Sequence, residues 1–388
     1  MRLIASIDFG TDKTVAVLAQ VGANVCQLKS LKNMTSEGIK SGVVKDFALV
    51  EKKVCNMINA MSLTEKIDIL RVGLPLNVVN RVKHTVSIYL NQQQITYKTL
   101  KDAEQRCLDS VKVKGEQLEV IASTYRLDKN EVHQEILGAT GQILEIDYFV
   151  YWIDAQYLNN LTGLFSNLDI AEIEFVPSVV AYQNIMPVND KNELHGVMLD
   201  LGADGMTLTL FVDNLLKENV YFPIGGDTID YDIAKGFGID INKATILKKE
   251  YGQAIRACCK NKKVKIPETS SNIDTRDIAT AMQFRLEEMF EGVMYFLVNN
   301  KYYHPGLPIY LTGGTSKIID IDLLLNKMSS HDVRFFKIDS LETTRTDILE
   351  KPEYGLVLGL LLCDDFINEA DDSSLKNKFF TKLKNFFS

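Results

Sequence analysis

The chain has 388 residues and a formal net charge of −8, with 43 Lys and Arg against 51 Asp and Glu. This acidic balance argues against nucleic acid as a general partner, because binding to a phosphate backbone requires a basic surface. The sequence contains no run of 18 or more apolar residues, which predicts no membrane-spanning helix, and its six Cys and five His show no zinc-site spacing.

The first 77 residues are typical of a mixed α/β unit. Three short segments rich in β-branched residues predict strands. The apolar stretch of the first segment is short and ends in a charged turn, so it does not have the pattern of a signal peptide. A helix over 47–62 and a buried strand over 67–76 are predicted to follow. The three predicted strands cover 3–10, 14–21 and 25–32.

The pattern of apolar and polar residues changes over 78–152, and this change predicts an inserted α+β subdomain. An amphipathic helix is expected over 98–111, between polar, alternating strands such as 84–97 and 141–153. The α/β pattern then returns with a helix, a strand and another helix. These three elements are predicted over 154–168, 170–177 and 178–186.

The opening pattern of strands and turns repeats at 196–226. In both copies an Asp ends the first strand (Asp8, Asp200) and a Gly follows two residues later (Gly10, Gly202). A repeat of this size predicts two similar α/β domains that face each other across a cleft between two glycine-rich hairpins.

The second half also carries an insertion, over 231–304. Three helices and a basic loop at 260–268 are expected there. A buried strand is then predicted to run into a Gly-Gly turn and a helix, and a last apolar helix over 353–366 places Gly355 and Gly359 on one face, where they suit close helix contact. The three helices of the insertion are predicted over 228–238, 242–252 and 275–300.

Three turns have the composition of phosphate-binding loops. Glycine lets the backbone approach a phosphate, whose oxygens then accept hydrogen bonds from successive N–H groups. The first hairpin offers Gly10, Thr11 and Lys13 as donors, with Asp8 placed to hold a magnesium ion through water. The turn at 312–316 follows a buried strand, as such a loop should. Together the three turns predict a nucleotide cleft.

In this order, the hairpins, the insertions and the segments "PIGGDTIDYDIAKGFG" and "LTGGTSKI" resemble the actin-like superfamily over essentially the whole chain. Within it the sequence is most similar to the FtsA family of bacterial cell-division proteins. The third strand leads directly to helix 47–62, and the insertion follows later, which is the FtsA arrangement. The resemblance implies two ribonuclease-H-like domains: subdomain 1A (1–77 and 153–195), 1C (78–152), 2A (196–230 and 305–363) and 2B (231–304).

The resemblance also implies an ATP site with Mg²⁺ between the two domains, the metal being held through water by Asp8 and Asp200. No catalytic residue is assigned, and the chain is expected to be at most a slow ATPase. The positions that match the family's nucleotide motifs are Asp8, Gly10, Thr11, Lys13, Asp200, Gly202, Gly225, Gly226, Asp227, Lys248, Gly313, Gly314 and Thr315.

The second loop departs from the family pattern Asp-x-Gly-Gly-Gly-Thr-x-Asp. Here the later positions are Ala203, Asp204, Gly205, Met206 and Thr207, so a carboxylate stands near the expected phosphates. A lone carboxylate repels phosphate unless a cation lies between them, which predicts weakened nucleotide binding and slow hydrolysis or none. The alternative is that Asp204 points to solvent and has no effect. The acidic residue usual three positions before Lys248 is also replaced, by Thr245.

The C-terminal segment carries its own signal. Residues 364–373 form an acidic linker, and 374–388 follow with four Lys and no acid. On a helix the apolar side chains fall within an arc of about 140°, which is typical of a helix that lies in the membrane interface. The alternative is a last helix packed on its own domain. The predicted membrane-facing residues are Leu375, Phe379, Phe380, Leu383, Phe386 and Phe387, flanked by Lys378, Lys382 and Lys384.

By resemblance, the chain is expected to tether filaments of the tubulin-like protein FtsZ to the cytoplasmic face of the bacterial inner membrane, at the division septum. It is expected to polymerise with itself, to bind anionic lipids and to recruit later division proteins, with subdomain 1C as the surface for self-association and late partners. Candidate cations for the FtsZ C-terminal peptide are Lys262, Lys263, Arg276 and Arg285.

Two other functions stay open at the level of sequence. The pilus-assembly family PilM shares the subdomain order, but it lacks a terminal amphipathic helix, so residues 374–388 disfavour it. An actin-fold ATPase or phosphotransferase would need a regular second loop and a placed catalytic carboxylate, and the altered residues 203–207 disfavour that function.

Overall fold

The computed structural model describes residues 1–22, 26–62, 65–132, 136–304, 306–338 and 346–363, and these contain strands and α-helices in alternation. The strands are β1 (Arg2–Phe9), β2 (Lys13–Val21), β3 (Cys26–Thr35), β4 (Ile39–Lys40), β5 (Val43–Val44), β6 (Ile67–Leu74), β7 (Asn80–Tyr89), β8 (Glu116–Leu127), β9 (Asn130–Glu131), β10 (Ile143–Ile153), β11 (Ile170–Pro177), β12 (Gly196–Leu201), β13 (Met206–Val212), β14 (Leu215–Phe222), β15 (Lys263–Lys265), β16 (Asn272–Asp274), β17 (Ile309–Thr312) and β18 (Val333–Phe335). The helices are α1 (Phe47–Ser62), α2 (Tyr97–Ser110), α3 (Ala155–Gly163), α4 (Ser178–Ile185), α5 (Gly226–Phe237), α6 (Ile241–Tyr251), α7 (Thr275–Asn299), α8 (Ile321–Ser329), α9 (Thr346–Leu349) and α10 (Gly355–Leu361).

Two five-stranded sheets of the same topology form the framework. The sheet of the first lobe has the order β3-β2-β1-β6-β11, and that of the second lobe has the order β14-β13-β12-β17-β18. In both, three antiparallel strands are followed by two parallel ones. The predicted internal repeat is therefore confirmed. The central strands are buried almost without interruption, as strands covered on both faces are.

The repeat places two hairpin turns in equivalent positions. The first hairpin turn (10–13) joins β1 to β2 and the second (202–205) joins β12 to β13. Asp8 and Asp200 stand one residue before the last paired residue of their strands, Phe9 and Leu201. Each Asp therefore lies at the edge of its sheet, beside its turn.

The insertion after β6 forms a separate layer. It consists of the sheet β7-β10-β8-β9 and helix α2, whose N-terminus is closed by a capping box of Thr96 and Thr99. The layer has its own hydrophobic core, which also takes in Leu215 of the second lobe. Two ion pairs join this layer to β14, the edge strand that contains Leu215. Lys217 Nζ lies 2.9 Å from Glu131 Oε1, and Arg81 Nη2 lies 3.1 Å from Glu218 Oε2.

The second insertion is continuous with its lobe. Helices α5, α6 and α7 and the small sheet of β15 and β16 share one hydrophobic cluster with β12, β13 and β17. Helix α5 ends at Gly238, whose φ of 65° is the left-handed conformation that favours glycine, as the sequence predicted. This subdomain therefore has no core separate from the second sheet.

Helices α4 and α10 join the two lobes and pack closely on each other. A Cβ at Gly359 would lie 2.3 Å from the carbonyl oxygen of Ala181, and one at Gly355 would lie 2.2 Å from Thr312 Oγ1. The predicted close helix contact is confirmed at Gly359, whereas Gly355 lies closest to Thr312 of β17. Arg71, almost fully buried, donates from Nη1 to the carbonyls of Leu360 and Leu361 at the end of α10.

Several predicted element lengths were wrong. The predicted strand 84–97 ends at Tyr89 because Asn91 and Gln92 have positive φ and turn the chain. The predicted helix 154–168 ends at Gly163 and continues as turns. After the Gly-Gly turn a 3₁₀ turn (Thr315–Lys317) precedes α8, because Asp320, at φ 62°, interrupts the helical path. The last predicted helix, 353–366, is observed only as α10, and its residues from 364 onward lie outside the described part.

Candidate functional site

A cleft of about 650 Å³ lies between the lobes. Both hairpin turns line it, together with the turn at 312–316 and parts of α6. Eleven of the thirteen predicted nucleotide-binding residues face this cleft, and the other two, Gly225 and Gly226, lie behind its wall. The volume is in the range of small-molecule and cofactor sites.

Gly225 and Gly226 support the wall and do not line it. A Cβ at Gly225 would lie 2.5 Å from the carbonyl oxygen of Ala203, and one at Gly226 would lie 2.4 Å from Thr315 Oγ1. Thr315 Oγ1 in turn donates to the carbonyl of Gly202 at 2.8 Å. The start of α5, the second hairpin turn and the Gly-Gly turn are thus packed directly against one another.

Asp8 and Asp200 form a pair of carboxylates at the floor of the cleft. Burial, then the charge of Asp200, raises the pKa of Asp8 from 3.8 to about 7, although Lys13 acts in the opposite direction. Burial also raises the pKa of Asp200, against the effect of a hydrogen bond that its Oδ2 accepts from the hydroxyl of Tyr182. Gly313, at φ 90°, lies against Asp200, where a Cβ would come within 2.2 Å of Oδ1.

Lys13 of the first hairpin turn contacts the residues that immediately precede α10. Its Nζ lies 3.6 Å from Glu353 Oε1 and 4.9 Å from the ring centre of Tyr354. Glu353 also accepts a hydrogen bond from Lys317 at 2.8 Å. Burial lowers the pKa of the Lys13 ammonium group, whereas the two lysines lower the pKa of Glu353 in spite of its burial.

Lys248, predicted near the ribose and adenine, is held in place by the protein itself. Its Nζ donates to Asp230 Oδ2 at 2.7 Å and to the carbonyl of Gly226 at 2.8 Å. Thr245, which replaces the expected acid, donates to the helix carbonyl of Ile241 at 3.0 Å and also forms a side-chain hydrogen bond with Asp230. Asp230 from α5 therefore supplies the carboxylate that position 245 lacks.

Asp204 does not point freely to solvent. Its Oδ2 accepts a hydrogen bond from Ser41 Oγ at 2.5 Å and one from the Tyr221 hydroxyl at 3.3 Å. Ser41 belongs to the first lobe, so this bond crosses the cleft. A second bridge, from Lys249 Nζ to Asp12 Oδ1 at 3.0 Å, crosses it between two exposed side chains.

The balance of charge in the cleft is acidic. Eight carboxyl groups and four lysines line it. Burial raises the pKa of Asp227, with Asp230, Asp204 and Asp12 adding to the effect and Lys248 opposing it. A polyphosphate entering this cleft would be repelled unless a cation came with it. Within the described ranges, no group of three or more His, Cys, Asp or Glu side chains is suited to hold a metal.

Sequence reasoning missed Ser41, Tyr182, Asp230 and Glu353. None of them lies in the three turns that predicted the site, and each reaches the cleft through the packing of another element.

The predicted partner-binding cations lie outside the cleft. Lys262, Lys263 and Arg276 are exposed, but Arg285 is held by ion pairs with Asp232, at 2.6 Å, and with Glu288. The predicted linker and membrane-facing residues, from 364 to 388, lie outside the residues that the structure describes. Among those it does describe, no helix combines the length and the apolar character needed to cross a bilayer.

Two lobes of equal sheet topology, with hairpin turns facing a cleft, define the actin-like class. Solved structures agree: the PilM–PilN type IV pilus biogenesis complex matches with a TM-score of 0.63 at 15% identity over 92% of this chain and 97% of that chain. MreB5 of Spiroplasma citri bound to ADP matches with a TM-score of 0.54 at 12% identity over 97% and 98%. The MamK double helical filament matches with a TM-score of 0.50 at 10% identity over 95% and 100%.

Comparison of sequences shows which family within this class the chain is similar to. The model of the family "Cell division protein FtsA" matches residues 197–359. The cell division protein FtsA of Buchnera aphidicola subsp. Schizaphis graminum is 22% identical over 100% of this chain and 97% of its own length. FtsA of Pseudomonas aeruginosa is 23% identical over 93% and 89%. The chain therefore has the actin-like fold and is similar in sequence to FtsA proteins.

Proposed function

We propose that the chain is a nucleotide-binding adaptor of bacterial cell division. It attaches FtsZ filaments to the cytoplasmic face of the inner membrane at the septum, polymerises with itself and recruits later division proteins. The observation that carries this proposal is the cleft between two matched lobes, with a phosphate-type hairpin turn on each side, in a chain similar to FtsA along its length.

An adenine nucleotide with Mg²⁺ is the proposed ligand of the cleft, and ATP is the nucleotide that the resemblance to the family implies. The residues present fit this pair, because two carboxyl groups share the floor of the cleft and two glycine-rich turns lie beside them. Asp8 and Asp200 would hold the metal through water, and the bound metal would neutralise phosphate charge. Lys13 is the cation nearest to the first turn, although Glu353 already engages it.

The cleft favours binding over catalysis. The second hairpin turn carries Asp204 in place of a glycine, and this carboxylate already bonds to Ser41 and Tyr221. We therefore assign no catalytic residue and propose at most slow ATP hydrolysis. A structural role, in which bound nucleotide sets the relation of the lobes, suits this arrangement better than rapid turnover.

Membrane attachment is assigned to residues 374–388. On a helix, their phenylalanines and leucines would share one face, and each lysine near an anionic surface would add about 1 kcal/mol, so roughly 3–4 kcal/mol together. The acidic linker at 364–373 separates this segment from α10. It spans roughly 30 Å when extended, at about 3.3 Å per residue.

The FtsZ peptide is assigned to the second insertion. Lys262, Lys263 and Arg276 present exposed positive charge that an acidic peptide can meet. Arg285 is the weaker candidate of the four, because Asp232 and Glu288 already neutralise it. Subdomain 1C, which exposes Tyr89 by 73% and Tyr97 by 54%, is the proposed surface for self-association and later partners.

Co-sedimentation with vesicles tests the proposal. The full chain should pellet with anionic vesicles and only weakly with neutral ones, whereas a chain ending at Asp372, which retains every described residue, should stay in solution. Phe379→Ala should weaken pelleting, and Thr381→Ala, on the opposite helical face, should leave it unchanged. Equal pelleting of the full and shortened chains would refute attachment through 374–388 and favour a PilM-like or enzymatic function.

The same assay tests the tether. FtsZ filaments added to vesicles should pellet only with the full chain. The double change Lys262→Glu and Lys263→Glu should abolish that effect, and Lys98→Glu, an equal reversal at an exposed site on α2, should not. FtsZ recruitment that survives the double change would move the peptide site elsewhere.

A further inference from the structure

The second hairpin turn places a negative charge inside the cleft and ties it to the opposite lobe. Asp204 Oδ2 accepts from Ser41 Oγ at 2.5 Å and from the Tyr221 hydroxyl at 3.3 Å. Tyr221 stands on β14 of the same lobe, and Ser41 stands on the turn between β4 and β5 of the other. The carboxylate is thus fixed from both sides of the cleft.

Ser41 is held in place by the strand ends around it. Its φ of 53° is left-handed, and its carbonyl accepts a hydrogen bond from Asn77 Nδ2 at 2.6 Å. The next residue, Gly42, packs against Pro75 and the carbonyl of Phe9, which immediately precedes the first hairpin turn. The hydroxyl that bonds to Asp204 therefore belongs to the same rigid surface as the first phosphate-type turn.

The tip of the second turn also carries unused donors. In the described structure the backbone amides of Ala203 and Asp204 donate to no protein acceptor, whereas Gly202 N donates to Gly205 O within the turn. Free amides at such a tip attract phosphate oxygens, and the carboxylate beside them repels the same oxygens. The repulsion acts only on a ligand whose phosphates extend to this turn.

We propose that Asp204 makes the cleft selective for a nucleoside diphosphate over a triphosphate. This inference rests on the proposed nucleotide site and assigns its preference. A shorter phosphate chain is held by the first hairpin turn and the floor carboxylates through a cation. A longer one meets the Asp204 charge and must also displace its hydrogen bond to Ser41. Two charges a few ångströms apart in a partly solvated site suffice for a difference of about tenfold or more in affinity.

Calorimetric titration of the full chain with ADP and with a non-hydrolysable ATP analogue, with and without Mg²⁺, tests this assignment. The wild-type protein should bind the diphosphate at least about tenfold more tightly. Asp204→Asn keeps the shape and the acceptor but removes the charge, so it should bring the two affinities together by strengthening triphosphate binding. Asp204→Gly should do the same, and Glu291→Gln, which removes an exposed charge from α7, should change neither affinity.

The outcomes separate the inference from the function on which it rests. An unchanged ratio in Asp204→Asn and Asp204→Gly would overturn the selectivity while leaving nucleotide binding intact. Weaker Mg²⁺-dependent triphosphate binding in Asp204→Asn would also overturn it, because Asp204 would then be a metal ligand. Loss of the preference in Ser41→Ala, which keeps the carboxylate, would show that the hydrogen bond and not the charge is responsible. Failure of the wild type and all variants to bind either nucleotide would refute the nucleotide site itself.

Discussion

Replacement of Asp8 by Asn should stabilise the nucleotide-free protein, and the gain should grow with pH. Asp8 lies on the floor of the cleft, where burial and then the charge of Asp200 raise its pKa from 3.8 to about 7. Asn has nearly the same shape and no charge. The substitution therefore removes the ionisation without leaving a cavity.

The sign follows from proton linkage. A carboxyl group whose pKa is higher in the folded state than in the unfolded state favours folding only while protonated. Its contribution is complete below the unfolded value of 3.8 and is lost as the pH rises through about 7. At about 1.4 kcal/mol per pH unit, the loss is roughly 2 kcal/mol at pH 5.5 and roughly 4 kcal/mol at pH 8. The advantage of Asp8→Asn should therefore increase by about 2 kcal/mol between these two conditions.

Urea unfolding at the two pH values, followed by Trp152 fluorescence and by circular dichroism, measures this difference. Asp102→Asn, the same substitution at an exposed position on α2, is the matched control. The same Asp8 variant should lose Mg²⁺-dependent nucleotide binding, so that stability and function change in opposite directions. A variant that is less stable than wild type at pH 8, or a gain that does not vary with pH, would refute the reasoning.

Three further predictions concern stability and use the same unfolding assay. Gly359→Ala should lower the free energy of unfolding by about 1–3 kcal/mol, because its Cβ would lie 2.3 Å from a backbone oxygen. Gly292→Ala, with open space around its Cβ, should raise it by up to about 1 kcal/mol. Equal effects would show that α4 and α10 can separate freely. Arg71→Ala should lower the free energy of unfolding by roughly 3–5 kcal/mol, since it leaves Glu174 and two helix carbonyls without their buried partner. A loss below about 1 kcal/mol would contradict this expectation. Burial lowers the pKa of His331, so the free energy of unfolding should fall as the pH decreases below 6.5. His331→Phe should reduce that fall. An identical pH profile in the variant would count against a neutral buried imidazole.

The sequence was sufficient for the features that are local. Asp8 and Asp200 each stand at the end of an apolar strand before a glycine turn, and this pattern predicted both the repeat and the facing hairpins. Gly355 and Gly359, four residues apart on one helix, likewise predicted a close helix contact. In each case the information lies within a few residues, where backbone conformation and burial are directly encoded.

The partners of those residues could not be predicted in the same way. Tyr182 reaches Asp200 from α4, and Glu353 reaches Lys13 from the segment before α10. Asp230 replaces the missing acid beside Lys248 from a different helix. Each pairing depends on how elements far apart in sequence pack together, and neither spacing nor composition specifies that packing. The same is true of Ser41. The sequence predicted only that Asp204 would repel phosphate, whereas the structure shows that it also accepts a hydrogen bond from Ser41 of the other lobe.

The two ends of the molecule differ in how firmly they join the lobes. At the base, one buried cluster contains residues of both lobes, such as Ile4, Met198 and Tyr310, and the α4–α10 contact leaves no room for a Cβ at Gly359. At the mouth of the cleft, the Lys249–Asp12 pair is exposed on both sides, and such pairs contribute about 0–1 kcal/mol. A ligand changes the relation of two lobes only by the difference in its affinity for their arrangements. The exposed Lys249–Asp12 pair is therefore easier to break than the buried contacts at the base. This difference agrees with the proposed structural role of a bound nucleotide.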